Sequence, residues 1–152
     1  MATAFKVLAE LGEKLESTSK RLVKIDLAVD FLRILEPSEV EPAVSMVLGR
    51  PFPKWDQRTL EVSWATLSGI IGRVAAVEWR VFNEAFGKTG DVGEAVKVIF
   101  GKSGVRRQTA LFEKSLTILE VRRSFERIAQ TYGSGSREKK ERLIETLLSK
   151  AS

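Results

Sequence analysis

Cysteine and histidine are absent from this sequence. Without cysteine there can be no disulfide framework and no thiol nucleophile. Without histidine, the commonest ligand of transition metals and the usual base of a catalytic triad are missing. Carboxylates, hydroxyls and lysines are therefore the side chains that remain for any catalysis, and no metal site is predicted.

Long hydrophobic runs are absent as well. No uninterrupted apolar segment approaches the roughly 18 residues that a membrane span needs. The amino terminus, MATAFKVLAELGEKLES, carries charges every few residues where a signal peptide would have an apolar core. We therefore expect a cytoplasmic, intracellular protein without a membrane partner.

Length and composition indicate one folded domain. The chain has 152 residues, of which 43% are hydrophobic and 30% are charged, which is unlike the composition of disordered proteins. Apolar residues recur at intervals of three and four along most of the chain, and no stretch of useful length alternates apolar and polar residues. This pattern predicts an all-α fold in a single domain that spans residues 1–152.

Apolar periodicity and capping residues predict the first helices. One apolar stripe consists of Leu8, Leu11 and Leu15. A second stripe follows the polar break at residues 17–19 and consists of Leu22, Ile25, Val29, Leu32 and Leu35. Each stripe needs a partner surface to bury it. Ser38 and Glu41 have the spacing of a capping box and predict a third helix that ends at Gly49, and Asp91 is expected to cap a later one.

The last third of the chain predicts two more helices. Thr117 is expected to open the first of them. Its apolar face consists of Ile118, Val121, Phe125, Ile128 and Tyr132, and its other flanks carry Arg122, Arg123 and Arg127. The Gly-Ser-Gly-Ser run at residues 133–136 ends this helix, and Ser136 is expected to cap the last one.

Positive charge is concentrated in the last third. Residues 1–100 contain 13 Lys and Arg against 14 Asp and Glu, whereas residues 101–152 contain 12 against 6. A basic block of this kind attracts nucleic acid, an anionic membrane surface or an acidic protein, because all three carry dense negative charge. On charge alone, a solvated surface that serves only solubility is an equally good interpretation.

The turn at residues 133–136 combines the features of a phosphate-binding site. It leads into a helix whose first turn carries Lys139 and Lys140. Exposed N–H groups at a helix N-terminus, glycines that permit close approach and neighbouring cations together bind phosphate. The alternative is an ordinary helix-helix turn in which the last serine merely caps. A weaker version of the arrangement occurs at Lys20 and Arg21.

Two apparent nucleotide motifs are incomplete. Residues 101–103, GKS, resemble the end of a Walker A motif, but Val96 occupies the position of its first glycine. Lys24 begins the segment KIDL, which is similar to the K-x-D-G motif of nucleotidyltransferases, but Leu27 replaces the glycine. Neither segment is interpreted as a nucleotide site.

Four segments of the sequence together resemble one protein family. They are LGEKLESTSKRLVKIDLAVDFLRIL, GRPFPKWDQRTLEVSW, GKTGDVGEAV and LTILEVRRSFERIAQTYGSGSREKKERLIETLL. In order and spacing they are similar to the N-terminal DNA-binding domain of ATP-dependent DNA ligases of the archaeal kind. The resemblance covers nearly the whole chain, and its most specific part is the last segment.

This resemblance implies a fold and a function. The fold would be a multi-helix orthogonal bundle of about seven to eight helices. The function would be sequence-independent binding of duplex DNA at a nick, through the sugar-phosphate backbone across the minor groove, in DNA replication, repair and recombination. Phosphate contacts carried over from the family are Gly133, Ser134, Gly135, Ser136, Lys139 and Lys140, with Lys20 and Arg21 as further contributors.

The resemblance places catalysis outside these residues. In the family, lysine adenylation, transfer of AMP to the 5′-phosphate and attack by the 3′-hydroxyl belong to an adenylation domain and an oligonucleotide-binding barrel. Neither is recognisable in the 152 residues, so we expect no catalytic residue and no cofactor here, while ATP and Mg²⁺ are expected for a full-length ligase. We also expect part of the DNA-binding domain itself to be missing, which would leave apolar surface exposed or paired with another copy.

A short loop supports a second hypothesis, that the chain is a protein-interaction module. Archaeal ligases of this kind carry a glutamine and aromatic segment that docks on the sliding clamp (PCNA), and QTALF at residues 108–112 is similar to it. Gln108 would set the register, while Leu111 and Phe112 would fill a pocket. Alternatively, Leu111 and Phe112 hold the loop against this protein's own core.

Overall fold

A computed structural model of the protein describes residues 2–75, 78–102 and 116–150. The helices in these ranges are α1 (Phe5–Glu16), α2 (Arg21–Ile34), α3 (Pro37–Val47), α4 (Trp64–Ala75), α5 (Trp79–Thr89), α6 (Val92–Lys102), α7 (Ile118–Gln130) and α8 (Ser136–Lys150). The β pairing found in the same ranges is one isolated antiparallel bridge, between Ala4 and Thr117. The predicted all-α class is therefore confirmed.

None of the helices in the described ranges has the length and apolar character that crossing a membrane requires.

The described residues form two compact units. The first unit holds residues 2–61 and 116–130, and thus α1, α2, α3 and α7. The second unit holds residues 62–75, 78–102 and 131–150, and thus α4, α5, α6 and α8. Each unit joins segments that are far apart in the sequence, so each depends on long-range packing. The organisation into a single domain stays a prediction.

The core of the first unit is formed by all four of its helices. Its buried members are Leu8, Leu11, Phe31, Ala43 and Ile118. The stripe predicted for α1 is confirmed, because Leu15 also packs against this cluster. The starts of α1 and α7 are joined directly: the Phe5 amide donates to the Leu116 carbonyl at 2.7 Å, and the Ile118 amide donates to the Thr3 carbonyl at 3.0 Å.

Helix α2 presents a different face to this core from the one predicted. Phe31 is buried, and Leu27 and Leu35 pack against the cluster. Four residues of the predicted stripe lie on what we call the outer face, with exposed fractions of 75% for Leu22, 45% for Ile25, 37% for Val29 and 41% for Leu32. The partner surface that this stripe was expected to need is therefore not found among the described residues. The reason is that α2 has two apolar faces, both with helical spacing, and periodicity alone does not say which one is covered.

Helix α3 begins two residues earlier than predicted, because its N-cap is Glu36 and not Ser38. Pro37 occupies its first position, which suits a residue without an N–H group. The capping box is formed by Glu36 and Glu39, not by the predicted Ser38 and Glu41, and the Glu36 amide donates to the Glu39 carboxylate at 2.8 Å. The helix ends at Val47 with Leu48 as its C-cap, so Gly49 follows at the C′ position as predicted, with a φ angle of +79°.

Glu39 ties the start of α3 to the beginning of the chain. Its side chain is fully buried. One carboxylate oxygen accepts a hydrogen bond from the Thr3 amide at 2.7 Å, and the other accepts one from the Thr3 hydroxyl at 2.9 Å. Burial by itself would raise the pKa of Glu39, but the hydrogen bonds from Glu36 and Thr3 outweigh burial and hold the pKa below its usual value.

Arg122 on α7 is buried rather than on a solvent-facing flank, with 7% of its surface exposed. Its guanidinium forms two hydrogen bonds with the Glu41 carboxylate, one of them from Nη1 at 2.9 Å. These bonds lower the pKa of Glu41. The buried Phe52 ring lies near two guanidinium groups, 5.4 Å from Arg122 and 4.2 Å from Arg58.

The apolar face predicted for α7 is confirmed at Ile118, Val121 and Ile128, which are buried. It is wrong at Tyr132, which lies beyond the end of the helix and is 86% exposed. Thr117 opens α7 as predicted, because its hydroxyl accepts a hydrogen bond from the Glu120 amide at 3.1 Å.

The core of the second unit lies between α4, α5 and α6. Its buried members are Ile71, Ala75, Phe82, Ala85, Ala95 and Ile99, and Leu148 of α8 packs against them. Asp91 caps α6 as predicted, because its carboxylate accepts a hydrogen bond from the Glu94 amide at 3.0 Å.

Replacing Glu39 by Gln is expected to lower the free energy of unfolding at pH 7 by about 1–3 kcal/mol, because an amide cannot accept all the hydrogen bonds from Thr3 and Glu36. The folded-state pKa lies below its ordinary value of 4.5. The contribution of the carboxylate is therefore fully present above about pH 4.5 and is lost as the pH falls through the folded-state pKa.

Urea unfolding at pH 7 and at pH 3 measures this effect. The difference between Glu39→Gln and the unchanged chain should shrink at pH 3. Glu10→Gln, on the exposed surface of α1, is the matched control and should have little effect at either pH. A difference that is the same at both pH values would contradict the role assigned to the carboxylate.

Candidate nucleic-acid interface

The turn before α8 contains two glycines in the left-handed region of backbone conformation. The φ angle is +87° at Gly133 and +77° at Gly135, where other residues are strained. A Cβ atom added at either position would have no heavy atom within 4 Å. Glycine is therefore needed here for its backbone conformation, and the peptide backbone of the turn is open to solvent.

Helix α8 begins at Ser136, so Gly135 takes the N-cap position in place of the predicted Ser136. The Ser136 amide donates to the Gly133 carbonyl at 3.2 Å, and the Lys139 amide donates to the Gly135 carbonyl at 3.3 Å. The amide of Arg137 lies between them, and helix geometry gives it no acceptor within α8. The turn thus presents N–H donors at the positive end of the helix dipole.

Arginines of the second unit pair with two of the acidic side chains of α8. The Glu141 carboxylate lies 3.3 Å from Nε of Arg137 and 3.7 Å from Nη2 of Arg73 on α4. The Glu145 carboxylate lies 3.3 Å from the same Arg73 nitrogen. Such partly exposed pairs contribute little stability. They do offset negative charge that would otherwise repel an anion near α8.

The two lysines predicted to bind phosphate differ in their surroundings. Lys139 is exposed, whereas Lys140 is buried with 7% of its surface exposed. A buried lysine stem can still bring its ammonium group to the surface. Gly133, Ser134, Gly135 and Lys139 are thus exposed, and Ser136 between them is half-buried. The phosphate contacts of all these residues, Lys140 included, stay predictions.

Lys20 and Arg21 lie in the first unit, at the N-terminus of α2. Both are exposed. Lys20 is the N-cap residue, and its amide donates to the Thr18 hydroxyl at 3.2 Å. The amides that follow Lys20 begin a helix, so this end of α2 also combines N–H donors with two cations.

The residues predicted to dock on the sliding clamp, Gln108, Leu111 and Phe112, lie outside the described residues.

Sequence reasoning missed Arg73 and misplaced Arg122. No local signal identifies Arg73, because its partners are on a helix more than sixty residues away in the sequence. A signal did exist for Arg122. It lies four residues after the buried Ile118 and next to the buried Val121, so it falls on the core face of α7.

The structure describes the incomplete K-x-D-G segment of α2. Lys24 lies on an exposed turn of α2, and Leu27, in the place of the motif's glycine, packs against the core. No group of three carboxylates suited to a metal ion occurs in the part of the chain that the structure describes.

The known proteins described below that are similar to this chain are all DNA ligases. A profile of the family described as DNA ligase N terminus matches residues 4–152. A DNA ligase 1 of Korarchaeum cryptofilum is 40% identical over 147 residues, covering 96% of this chain and 25% of the relative. A DNA ligase of Methanocella arvoryzae is 35% identical over 148 residues, covering 97% and 26%. A DNA ligase of Thermococcus onnurineus is 32% identical over 133 residues, covering 88% and 23%. The chain thus spans about a quarter of the length of these relatives.

Replacing Gly135 by Ala is expected to destabilise the protein by about 1–2 kcal/mol, because the left-handed conformation is strained for alanine. Gly69→Ala is the matched control. Gly69 lies in α4, and a Cβ there would also have open space, but alanine should stabilise a helix interior by about 0.5–1 kcal/mol. Thermal unfolding of both variants checks this, and equal effects would argue against glycine's conformational role in the turn.

Proposed function

Because the chain belongs to the DNA ligase N terminus family, we propose that it binds duplex DNA at nicks, independently of sequence and through the phosphate backbone. The observation that carries this proposal is the exposed turn of Gly133, Ser134 and Gly135, which leads into the N-terminus of α8 beside the exposed Lys139.

The chemistry of the turn suits a phosphodiester. A phosphate oxygen accepts hydrogen bonds from backbone N–H groups and from hydroxyls, and it is attracted to the positive end of a helix dipole. Neither Gly133 nor Gly135 has a side chain to hold the strand away, so the DNA backbone can approach the peptide backbone closely. Lys139 adds a mobile positive charge within the first turn of α8. All these contacts are made to groups that are the same at every nucleotide, and the binding is therefore independent of sequence.

Lys20 and Arg21 would supply a second phosphate contact from the first unit. Each phosphate neutralised by a cation releases condensed counterions, so affinity falls more steeply with salt as contacts accumulate. Binding that uses both helix N-termini would have a steeper salt dependence than binding through the α8 turn alone.

The biological role that we propose is to hold nicked DNA for a ligase in replication, repair and recombination. Adenylation by ATP with Mg²⁺ and closure of the nick would be carried out by residues other than these. For this role the chain would have to meet DNA in the cytoplasm.

Docking on a sliding clamp through Gln108, Leu111 and Phe112 is the alternative role. It is a proposal from the sequence alone, because the structural description does not extend to these residues. Salt separates the two roles, since a contact anchored by apolar side chains depends much less on ionic strength than phosphate contacts do.

Charge reversal at Lys139 tests the DNA site. We expect Lys139→Glu to weaken binding to nicked duplex DNA by about three- to tenfold and to reduce the slope of log K against log salt by about one. Fluorescence anisotropy with nicked and intact duplexes of one sequence, each over a salt series, measures both quantities.

Lys88→Glu is the matched control, because Lys88 is an exposed lysine on α5 and the change in net charge is the same. Equal effects of the two variants would show that only net charge matters and would reject the site. Absence of binding by the unchanged chain at low salt would reject the proposed function itself.

A further inference from the structure

Arg137 lies on the first turn of α8, directly after the glycine turn. Its side chain is 72% exposed, and its Nε donates a hydrogen bond to the Glu141 carboxylate at 3.3 Å, one helical turn further along. An exposed pair with this spacing is weak, because water screens both charges. The contact uses one of the five N–H donors of the guanidinium. Arg137 can therefore exchange Glu141 for a stronger acceptor with little loss of stability.

A backbone phosphate at the glycine turn would be such an acceptor. The guanidinium fork can donate two parallel hydrogen bonds to two oxygens of one phosphate, which is a stronger contact than a single bond to a solvated carboxylate. Geometry also favours the exchange. The Cα–Cβ bonds of a helix tilt toward its N-terminus, so a long side chain at position 137 covers the surface over the preceding turn. Gly133 and Gly135 lie in that turn.

Glu141 has a second arginine beside it. Nη2 of Arg73, on α4, lies 3.7 Å from the Glu141 carboxylate and 3.3 Å from the Glu145 carboxylate. Helices α4 and α8 belong to the same compact unit. Because Arg73 lies near two acids, it stays beside Glu141 when Arg137 turns away. The Glu141 carboxylate therefore keeps a cationic partner in both positions of Arg137.

Arg73 also sets the charge around the start of α8. With Arg73 present, the two arginines of this network balance Glu141 and Glu145. Without it, one negative charge would be left close to the turn, where Glu138 is a further exposed acid. A phosphate would then meet more repulsion, and Glu141 would hold Arg137 more firmly.

We propose that Arg137 is a further phosphate-contacting residue of the α8 turn and that Arg73 is its positioning residue. Arg73 holds Glu141 and so releases Arg137 to the phosphate, while Arg73 itself does not touch the DNA. Glu141 is thus an internal competitor, whose carboxylate takes the place of the phosphate when no DNA is bound. The inference rests on the proposed function, because it needs a DNA phosphate at the turn.

Arg137→Gln tests the phosphate contact. We expect it to weaken binding to nicked duplex DNA by about three- to tenfold and to reduce the slope of log K against log salt by about one. Fluorescence anisotropy over a salt series measures both. Arg80→Gln is the matched control, because Arg80 is an exposed arginine on α5 in the same unit and the change in net charge is equal. It should leave the slope unchanged.

Glu141→Gln tests the competition. It should strengthen DNA binding by about two- to fivefold, because Arg137 loses its competing partner. In the Arg137→Gln background the same substitution should have little effect, and this double-mutant cycle isolates the pair from the general change in charge. Glu84→Gln is the matched control, because Glu84 is an exposed acid on α5. It should have the same small effect in both backgrounds.

Three variants test the positioning role of Arg73. Arg73→Gln should weaken DNA binding by about two- to fivefold with little change in the salt slope, because Arg73 neutralises no phosphate. Arg73→Lys keeps the charge and should bind like the unchanged chain. The double variant Arg73→Gln/Glu141→Gln should restore binding, which a loss of stability alone would not do. Circular dichroism of each variant establishes that the helices remain folded.

Each part of the proposal has a result that would overturn it. An effect of Arg137→Gln no larger than that of Arg80→Gln would reject the phosphate contact. Equal effects of Glu141→Gln with and without Arg137 would reject the competition, and failure of the double variant to restore binding would reject the role of Arg73. In all three cases the proposed function stands if the unchanged chain binds nicked DNA and Lys139→Glu weakens that binding. No binding by the unchanged chain at low salt would reject both.

Discussion

The first unit depends on a buried carboxylate, that of Glu39, which is stabilised by hydrogen bonds. Glu39 accepts hydrogen bonds from both the amide and the hydroxyl of Thr3 and from the amide of Glu36. The Thr3 carbonyl in turn accepts a hydrogen bond from the Ile118 amide. Through Thr3, the Glu39 carboxylate therefore links the starts of α1, α3 and α7. A charge can be buried in this way because several donors replace the water it loses. These hydrogen bonds hold together the helix starts that surround the core of the first unit.

The positive charge available near α8 depends on which cations pair with acidic side chains, as well as on the composition of the chain. The last third of the chain has an excess of Lys and Arg, but the structure uses them in different ways. Arg122 is buried with Glu41 in the first unit, while Arg137, with Arg73 from α4, pairs with acids of α8. Arg137 and Lys139 are both exposed on the first turn beside the glycines, and Arg137 lies 3.3 Å from the Glu141 carboxylate. The net charge therefore overstates the number of cations that a phosphate would meet at the turn.

Helix α2 shows how one element can serve two surfaces. Leu27 and Phe31 fix it to the first unit, and the outer face adds a second apolar stripe with charges arranged beside it. Its N-terminus carries Lys20 and Arg21, which are candidates for phosphate contact.

The sequence by itself determined the helical class, most helix positions, the caps at Asp91 and Thr117, and the glycine turn before α8. These features depend on local spacing and on the backbone preferences of single residues, which need no knowledge of distant contacts. Tertiary structure alone decided which stripe of α2 is covered, that Glu41 pairs with Arg122 instead of capping α3, and that Lys140 is buried while Lys139 is exposed. Each of these depends on partners far away in the sequence, and local periodicity is the same whichever face a distant partner covers.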